Sequence, residues 1–594
     1  MSDANSWRIT VGRKFAEIYR DVPNVTAVAI VGSVSYEMAD RYSDLDLRVF
    51  WREFPSETDH RVMKERALIM GQYDSALKMD GSQFDEVFFF GGDADSGFQI
   101  DIKNTLTEPV ERALQDPDIE KNIGILEVMK NASPLVGKNT FRDWHSRIQK
   151  YPDQLIDKRV QEHLQVGPWW LWEQFVDEGE TVLTTRAFRR VLERLLVALT
   201  WLSQSSVRHA EYAKHAAQAL GRMEVCPKNA WSRIQQIFQC EPQIGLRRLG
   251  EFVEETHGLV AKHRPGVEVE KLRSETFSDR PTNLVRSIGN ALSQKQYRSS
   301  PLNAIADAYG STPGVRALVL SGDVSRRLTN YAAMELTAYW TEIPTDEKRN
   351  DLVESVGGIQ RKDYGYHSGQ SVWRERMQAG STSFNIRHMS CQTFDLLLQD
   401  ISSGLEMAQS GQTEISQLRG GLTLFGGEWL DSHITQSDSY PFELGRVTIR
   451  TALDKALWWR EQIRVFSQRN GLVYYPILIH QAQAIYQALM AQNRMYLVER
   501  WSRDDAFFEN NSGWDRVNPL LDAMTDTPID FKRRFNELFH QSADQGALEI
   551  DRLISETLRI VKEADPDLDV ETDVAKQAMK RRKAWNEPPD TAVA

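Results

Sequence analysis

Val31-Gly32-Ser33-Val34-Ser35 and Ser43-Asp44-Leu45-Asp46-Leu47-Arg48 are the two segments around which the amino-terminal part of this chain is arranged. An apolar run, Val25 to Val31, leads into the first segment and predicts a strand that ends at the glycine. In the second segment polar and apolar side chains alternate, and residues two apart in a strand point to the same face. We therefore expect both aspartates and the arginine on one face and the leucines in a core.

The residue types in these segments suit the binding of a nucleotide with a metal ion. Two neighbouring carboxylates raise each other's pKa, and a divalent cation removes this cost. Mg²⁺ in particular is held by one or two carboxylates together with substrate phosphates. A glycine lets the backbone approach a phosphate, whose oxygens N–H groups and a hydroxyl can bind. Further along, Phe98-Gln99-Ile100-Asp101-Ile102 predicts another strand that carries one acid among apolar neighbours.

Gly-Ser, then Asp-x-Asp, then a single Asp on a later strand is a pattern that resembles the DNA polymerase beta-like nucleotidyltransferase superfamily. Kanamycin and lincosamide nucleotidyltransferases form its small-molecule branch. The matching residues are Gly32, Ser33, Asp44, Asp46 and Asp101, with Ser43 in the position of the serine that often precedes the first Asp. The alternative is that Asp44 and Asp46 lie on the solvated face of an edge strand and that Asp101 is an isolated surface acid. That alternative requires three independent placements to coincide.

The resemblance implies a function and roles for these residues. Asp44, Asp46 and Asp101 would be catalytic and would hold two Mg²⁺ ions, although Asp101 could instead be the general base. Gly32, Ser33 and Ser43 would bind the phosphates of a nucleoside triphosphate, for which we expect ATP. Attack by a hydroxyl of a small-molecule acceptor, such as an antibiotic or natural product, would transfer a nucleoside monophosphate and release pyrophosphate. Four acids could bind a polyamine acceptor or simply lie on an exposed helix face: Glu173, Asp177, Glu178 and Glu180.

Length and composition limit the remaining possibilities. The 594 residues suggest about four domains, and 41% hydrophobic with 26% charged residues is typical of a globular protein. We expect no membrane span and no signal peptide, because no long uncharged apolar run occurs and the first residues are polar. The scattered Cys226, Cys240 and Cys391 favour a cytoplasmic location without a zinc site. A net charge of −12 argues against a nucleic-acid partner.

An internal repeat indicates that the chain is a duplication. Tyr19, Pro23 and Gly32 recur at one constant spacing as Tyr309, Pro313 and Gly322, and the segment around Asp101 matches a segment that ends at Arg387. The second copy differs where the chemistry would be. Its replacements are Asp323 for Ser33, Ala333 for Asp44, Glu335 for Asp46 and Arg387 for Asp101. We therefore expect a folded but catalytically inactive second copy.

The predicted fold is α+β: two tandem mixed-sheet nucleotidyltransferase domains, each followed by an α-helical bundle. The predicted domains are an active domain (1–107), a helical domain (108–298), a degenerate domain (299–395) and a second helical domain with a frayed tail (396–594). Kanamycin nucleotidyltransferase is a dimer whose sites are completed across the interface. By that resemblance the two copies could form an intramolecular pseudo-dimer, and the protein could be a monomer. Alternatively the second copy only buries apolar surface of the first.

Two other function classes remain open. The acceptor could be a protein or tRNA, since glutamine synthetase adenylyltransferase also carries two superfamily domains. Label from radioactive ATP in a precipitable fraction would favour that class. The chain could instead be a non-catalytic nucleotide sensor, which would bind ATP without releasing pyrophosphate.

Overall fold

A computed structural model of the chain has two six-stranded sheets and many helices, which confirms the α+β class. It describes residues 3–80, 83–93, 96–116, 119–148, 151–203, 209–278, 301–321, 334–356, 362–366, 372–379, 382–404, 409–469, 472–497 and 517–570. Within these ranges no helix has the length and apolar character needed to cross a membrane.

The first sheet is mixed and has the strand order β3-β4-β5-β2-β1-β6. Its strands are β1 (Val25–Val31), β2 (Leu45–Trp51), β3 (Gly71–Asp80), β4 (Gln83–Phe90), β5 (Phe98–Leu106) and β6 (Ser133–Val136). The helices around it are α1 (Asp3–Ala16), α2 (Gly32–Ser35), α3 (Glu57–Ala67), α4 (Thr107–Gln115), α5 (Ile119–Asn131) and α6 (Lys138–Arg147). Strands β2 and β5 are parallel, and the other neighbours are antiparallel.

The two faces of β2 and β5 differ as the alternation predicts. Leu45 and Leu47 are fully buried, and they share one core with Ile100 of β5 and Phe15 of α1. The alternate residues of β2 and β5, such as Asp46 and Asp101, are only partly buried and lie on the opposite face. The apolar positions therefore fix the face on which the polar residues of both strands lie.

Helices α4 to α6 cover part of that opposite face. Phe50 at the far end of β2 packs edge-to-face against Phe141 and Trp144 of α6. Because β6 pairs with β1, the sheet continues well past residue 107. The domain boundary predicted at that residue therefore falls inside the sheet-bearing unit, which extends through α6. Helix α4 ends at Gln115, because the next residue, Asp116, precedes Pro117 and has the extended conformation that a following proline favours.

A helical region follows the first sheet. It consists of α7 (Asp153–Leu164), α8 (Trp169–Asp177), α9 (Thr181–Leu202), α10 (His209–Gly221), α11 (Ala230–Phe238), α12 (Pro242–His263) and α13 (Val269–Thr276). Its longest helices bury an apolar face, as their periodicity predicts. Helix α10 is not regular, because His215 has non-helical backbone angles.

The second sheet has the order β12-β7-β8-β11-β10-β9, which is the order of the first sheet read from β6 to β3. Its strands are β7 (Val315–Ser321), β8 (Met334–Trp340), β9 (Lys362–Tyr366), β10 (Val372–Ala379), β11 (Thr382–Ser390) and β12 (Leu422–Phe425). Its helices are α14 (Pro301–Gly310), α15 (Asp346–Ser355), α16 (Cys391–Ser403), α17 (Gln409–Gly420) and α18 (Gly427–Gln436). Gly137 and Gly426 have positive φ and press against the backbone of Ala27 and Ala317 in the two halves. Since β12 lies beyond residue 395, the second predicted boundary also falls inside the sheet-bearing unit.

Strand register changes one residue correspondence that the sequence predicted. Asp46 lies opposite Asp101 in the first sheet, whereas Glu335 lies opposite Asn385 in the second. A side-chain contact supports this alignment: the indole of Trp51 donates to Asn104, and that of Trp340 donates to His388. Asn385, and not Arg387, therefore occupies the position of Asp101. The sequence match was shifted by two residues, because a strand of alternating polar and apolar residues keeps the same pattern when it is shifted by two positions.

The last helices are α19 (Phe442–Ser467), α20 (Tyr474–Gln492), α21 (Asn518–Ala523), α22 (Phe531–Glu537) and α23 (Ala543–Ala564). They do not form a core separate from that of the first helical region. Buried residues of both regions belong to one hydrophobic cluster, and the rings of Phe238 and Tyr475 stack across the junction with centroids 3.7 Å apart. The two predicted helical domains thus share one core.

Candidate active site

Gly32 brings the end of β1 against the acid of the neighbouring strand. Its φ is +69°, a left-handed conformation that favours glycine. A β-carbon at this position would collide with the carboxylate oxygen Oδ2 of Asp46. The structure thus gives Gly32 a close approach to the Asp46 carboxylate, and the predicted approach to a phosphate stays a prediction.

Ser33 lies in the short turn of helix that follows Gly32. It is buried, and the hydroxyl of Ser35 closes the turn by donating to the Gly32 carbonyl at 2.8 Å. The first N–H groups of a helical turn have no partner four residues earlier in the chain. The turn therefore begins with backbone donors beside the Asp46 carboxylate.

Asp46 and Asp101 are direct neighbours on the parallel strands β2 and β5. Both are half-buried and lie on the face opposite the apolar core. Asp44 directly precedes β2 and is also half-buried. The three acids predicted from the sequence thus come from two adjacent strands of one sheet.

The pKa of Asp101 reflects both its burial and the charges of its neighbours. Burial raises the pKa of Asp101 to about 6, and the negative charge of Asp44 contributes to the increase. A hydrogen bond of 2.7 Å from Gln99 and the positive charges of Lys103 and Lys214 act in the opposite direction. This site is therefore one in which negative charges repel and a bound cation would relieve the repulsion.

Ser43 is held in the turn before Asp44 by several hydrogen bonds. Its buried hydroxyl donates to the Asp40 carboxylate at 3.1 Å and accepts from the Asp40 N–H at 3.0 Å. Its carbonyl accepts from Nε of Arg8 in α1 at 2.9 Å. Ser43 thus closes the turn that leads to Asp44, and direct contact with a phosphate stays a prediction.

Basic residues that the sequence motif does not contain surround the acids. Arg8 is buried, which lowers its pKa to about 10 although the charges of Asp40 and Asp44 oppose the decrease. Lys103 lies two residues after Asp101 on β5, and Lys214 reaches the acids from α10. Neither Arg8 nor Lys214 has a sequence signal that connects it to the motif, because only packing of α1 and α10 brings them here.

The donor set suits magnesium but does not form a complete protein cage. No group of three or more His, Cys, Asp or Glu side chains in the described part of the chain is arranged to hold a metal ion. Mg²⁺ normally keeps waters and binds one or two carboxylates plus substrate phosphates. The adjacent carboxylates of Asp46 and Asp101, with Asp44 beside them, fit that mode of binding.

The corresponding region of the second half contains different chemistry. Glu335 lies opposite an amide, Asn385, instead of a second carboxylate. Arg387 is buried and forms an ion pair with Glu414 of α17. Gly322, Asp323 and Ala333, the predicted counterparts of Gly32, Ser33 and Asp44, lie outside the described residues.

One of the acids considered for binding an acceptor has a structural role. Glu180 is buried, and its carboxylate accepts from the backbone N–H groups of Val517 at 3.0 Å and Asn518 at 3.4 Å. It therefore caps the start of α21 in the second half. The carboxylate of Glu178 accepts from Gln174 on the same helix at 2.6 Å.

Comparisons with known proteins add little to this geometry. No protein-family model matches the chain, and the search of curated proteins gives no match. Among solved structures, the chain is similar to the crystal structure of a nucleotidyltransferase-like protein from Exiguobacterium sibiricum 255-15. The identity is 12%, the TM-score is 0.23, and the match covers 45% of this chain and 80% of that chain. A likeness at this TM-score carries no argument, so the proposals below rest on the site itself.

Proposed function

We propose that this protein is a magnesium-dependent nucleotidyltransferase that moves a nucleoside monophosphate, from ATP, to a hydroxyl of a small-molecule acceptor. One observation carries the proposal. Asp46 and Asp101 are paired across two parallel strands, and a glycine with positive φ lies directly against the Asp46 carboxylate. This arrangement combines neighbouring carboxylate oxygens with the first backbone N–H groups of a helical turn, which would bind phosphate oxygens.

Asp44, Asp46 and Asp101 would hold Mg²⁺ in this site. When bound, the metal would neutralise phosphate charge and orient the triphosphate for in-line attack. Burial, with a contribution from the charge of Asp44, raises the pKa of Asp101 to about 6, and a bound cation would stabilise its ionised form. Two ions stay the expectation from the resemblance to nucleotidyltransferases that use two metals.

The protein groups around the acids would bind the triphosphate. The backbone N–H groups of the turn at Gly32 and Ser33 would donate to the pyrophosphate end of the triphosphate. Ser43 would hold the turn that positions Asp44. Lys103 and Lys214, whose charges act on Asp101, would attract the phosphates. These cations provide the local positive charge that the net charge of −12 does not suggest.

In the alternative assignment, in which Asp101 is not a metal ligand, it accepts the proton of the acceptor hydroxyl. With a pKa of about 6 it is mostly ionised at neutral pH yet more basic than an ordinary carboxylate. The hydroxyl oxygen would form a bond to the α-phosphorus while the bond from that phosphorus to the pyrophosphate oxygen breaks. The proton would pass to Asp101, and pyrophosphate would leave.

The second half would support this site without a reaction of its own. The equal strand orders of the two sheets support an origin by duplication, and the shared helical core supports an intramolecular pseudo-dimer. The pairing of Glu335 with Asn385 leaves one carboxylate where the first half has two. The second half would therefore not hold Mg²⁺.

A pyrophosphate-release screen tests the proposal. The purified full chain is assayed with Mg²⁺ and each of four nucleoside triphosphates against hydroxyl-bearing antibiotics and metabolites. We expect acceptor-dependent release that Asp44→Asn or Asp101→Asn abolishes and that the matched second-half variant Glu335→Gln leaves unchanged. Release that survives in both first-half variants, or ATP binding without release for any acceptor, would contradict the proposal. Label transferred to protein or tRNA would favour a macromolecular acceptor.

A further inference from the structure

The loop of residues 36–44, which we call the Asp44 loop, joins α2 to β2 and is held by residues from three distant parts of the chain. Arg222, just after α10, donates to the carbonyls of Tyr36 and Glu37. Arg8 of α1 donates to the carbonyl of Ser43. The third contact comes from the second half of the chain, immediately after α19.

Asp40 is the residue that organises the Asp44 loop internally. Its carboxylate oxygen Oδ1 accepts from the N–H of Tyr42 at 2.9 Å and from the hydroxyl of Ser43 at 3.1 Å. A carboxylate that accepts from a backbone N–H two residues later is a common device for fixing a turn. The position of this carboxylate therefore determines the path of the chain into Asp44.

Arg469 of the second half contacts the same carboxylate at two points. Its Nη2 donates to Oδ1 at 2.9 Å, and its Nε lies 2.8 Å from Oδ2. Only 5% of the Arg469 side chain and 26% of the Asp40 side chain are exposed. The hydrogen bond from Nη2 and the close ion-pair contact of Nε, which is not aligned for a hydrogen bond, together restrict the distance and the orientation of the carboxylate.

Neighbouring contacts reinforce the pair. The guanidinium of Arg469 lies over the ring of Tyr42, 5.6 Å from its centroid. The Tyr42 hydroxyl donates to the side chain of Gln468 at 2.6 Å, and Arg41 donates to the same oxygen. Burial raises the pKa of Asp40, but the positive charge of Arg469 and the hydrogen bonds from the Tyr42 N–H and from Arg469 lower it below its ordinary value. The carboxylate is therefore ionised at neutral pH and attracts Arg469 strongly.

We propose that Arg469 is a positioning residue for the candidate site: the second half, through its ion pair with Asp40, sets the place of Asp44. This inference rests on the proposed function for its effect on nucleotide binding, but the positioning itself is a structural statement. It gives the second half a role in the first half's site besides burying apolar surface. Removing one partner of a buried pair leaves an unpaired charge, so the loop would have to rearrange.

The test compares Arg469→Gln, Asp40→Asn and the double variant with the parent full chain. Arg464→Gln is the matched control, because Arg464 lies near the end of α19, five residues before Arg469, and pairs with Asp551 of α23. Titration calorimetry with MgATP measures affinity, and hydrogen–deuterium exchange measures opening of residues 38–46. Arg469→Lys tests the two-point geometry, since lysine keeps the charge but not the planar fork.

We expect Arg469→Gln to weaken MgATP binding about tenfold, because small misplacements of a binding group have large effects. Exchange of residues 38–46 should rise, Arg464→Gln should stay within about twofold of the parent, and the double variant should be no worse than either single one. Unchanged exchange of residues 38–46 in both Arg469→Gln and Asp40→Asn would overturn the proposal. So would parent-like MgATP affinity in Arg469→Gln when Asp44→Asn has lost binding. If the parent binds no MgATP, the proposed function fails, and the exchange measurement still decides the positioning role.

Discussion

Gly32 combines two constraints at a single residue. Its φ of +69° disfavours any side chain, and its position leaves no room for a β-carbon beside Asp46. A helix-interior glycine such as Gly258 has neither constraint, since nothing lies within 4 Å of the place where its β-carbon would be. The same substitution should therefore have opposite effects at the two positions.

Gly32→Ala should destabilise the fold by about 1–3 kcal/mol, because the new side chain is strained and displaces Asp46. It should also weaken MgATP binding. Gly258→Ala should instead stabilise the fold by about 1 kcal/mol, because alanine is the better helix former. Urea denaturation of both variants with and without MgATP measures these changes. Equal stabilities of the two variants would contradict the close approach to Asp46.

Asp101→Asn should separate stability from function. The folded pKa of about 6 is above the unfolded value of about 4, so the fold loses stability as the pH rises from about 4 to about 6 and no further above that. An asparagine should thus stabilise the fold by about 1–3 kcal/mol near pH 8. The gain should vanish near pH 4, where the parent carboxyl is protonated. Thermal melts at both pH values measure the difference, and a gain that is equal at both would contradict the assigned pKa.

The transfer rate should follow the same ionisation. If Asp101 accepts the proton and does not coordinate Mg²⁺, the rate should rise with pH through about 6 and level off above that value. Pyrophosphate release measured from pH 5 to pH 8 with saturating MgATP tests this expectation. A rate that is flat over this interval would show that another group takes the proton.

Strand β2 illustrates how one element serves both packing and the site. On its outer face, Phe50 at one end contacts Phe141 and Trp144, while Asp46 at the other end faces the candidate site. The apolar end is covered by α6, which follows the boundary that the sequence predicted at residue 107. The helical cover therefore belongs to the sheet and holds β2 in place for its acid.

Trp144→Ala should destabilise the chain by about 3–5 kcal/mol, because it empties a large, almost fully buried volume against Phe50. Ile69→Ala is the control in the same unit, since Ile69 is 88% exposed and should change stability by less than about 0.5 kcal/mol. Urea denaturation followed by tryptophan fluorescence and circular dichroism gives both values. A small effect of Trp144→Ala would mean that α6 is not part of the first unit.

At the scale of the whole molecule, the two halves are joined by a common helical core. The stacked rings of Phe238 and Tyr475 lie at this junction, and the cap that Glu180 provides for α21 crosses between the halves as well. Unfolding of either half would expose apolar surface of the other. The helical regions should therefore unfold together.

A double-mutant cycle on Phe238→Leu and Tyr475→Leu measures this junction. We expect a coupling energy of about 0.5–1.5 kcal/mol, as is typical of aromatic pairs. Each single variant should shift one common calorimetric transition of the helical regions. Two separate calorimetric transitions would contradict a shared core if Tyr475→Leu shifted only the transition of the second half.

The residue types and their local order were sufficient to predict β1, β2 and β5 and the face on which Asp46 and Asp101 lie. They also predicted that β1 ends at a glycine. These features depend on alternation and on backbone conformation, which act between neighbours in the chain. Two sequence inferences at the next level were wrong: the boundary at residue 107, and the match of Asp101 with Arg387. Both concern which strand lies beside which, and in what register.

Only the tertiary structure brought Arg8, Lys214 and Arg469 to the acids. No spacing or periodicity identifies these residues. Apolar periodicity predicts the buried face of a helix, but polar residues within a helix or just after it follow no pattern that predicts their partners. Asp40 and Arg469 meet although 429 positions separate them in the chain. Such contacts arise when whole elements pack together. The apolar pattern of a helix predicts which face is buried, but it does not predict which distant polar group that helix will contact. For this reason the sequence does not reveal these contacts.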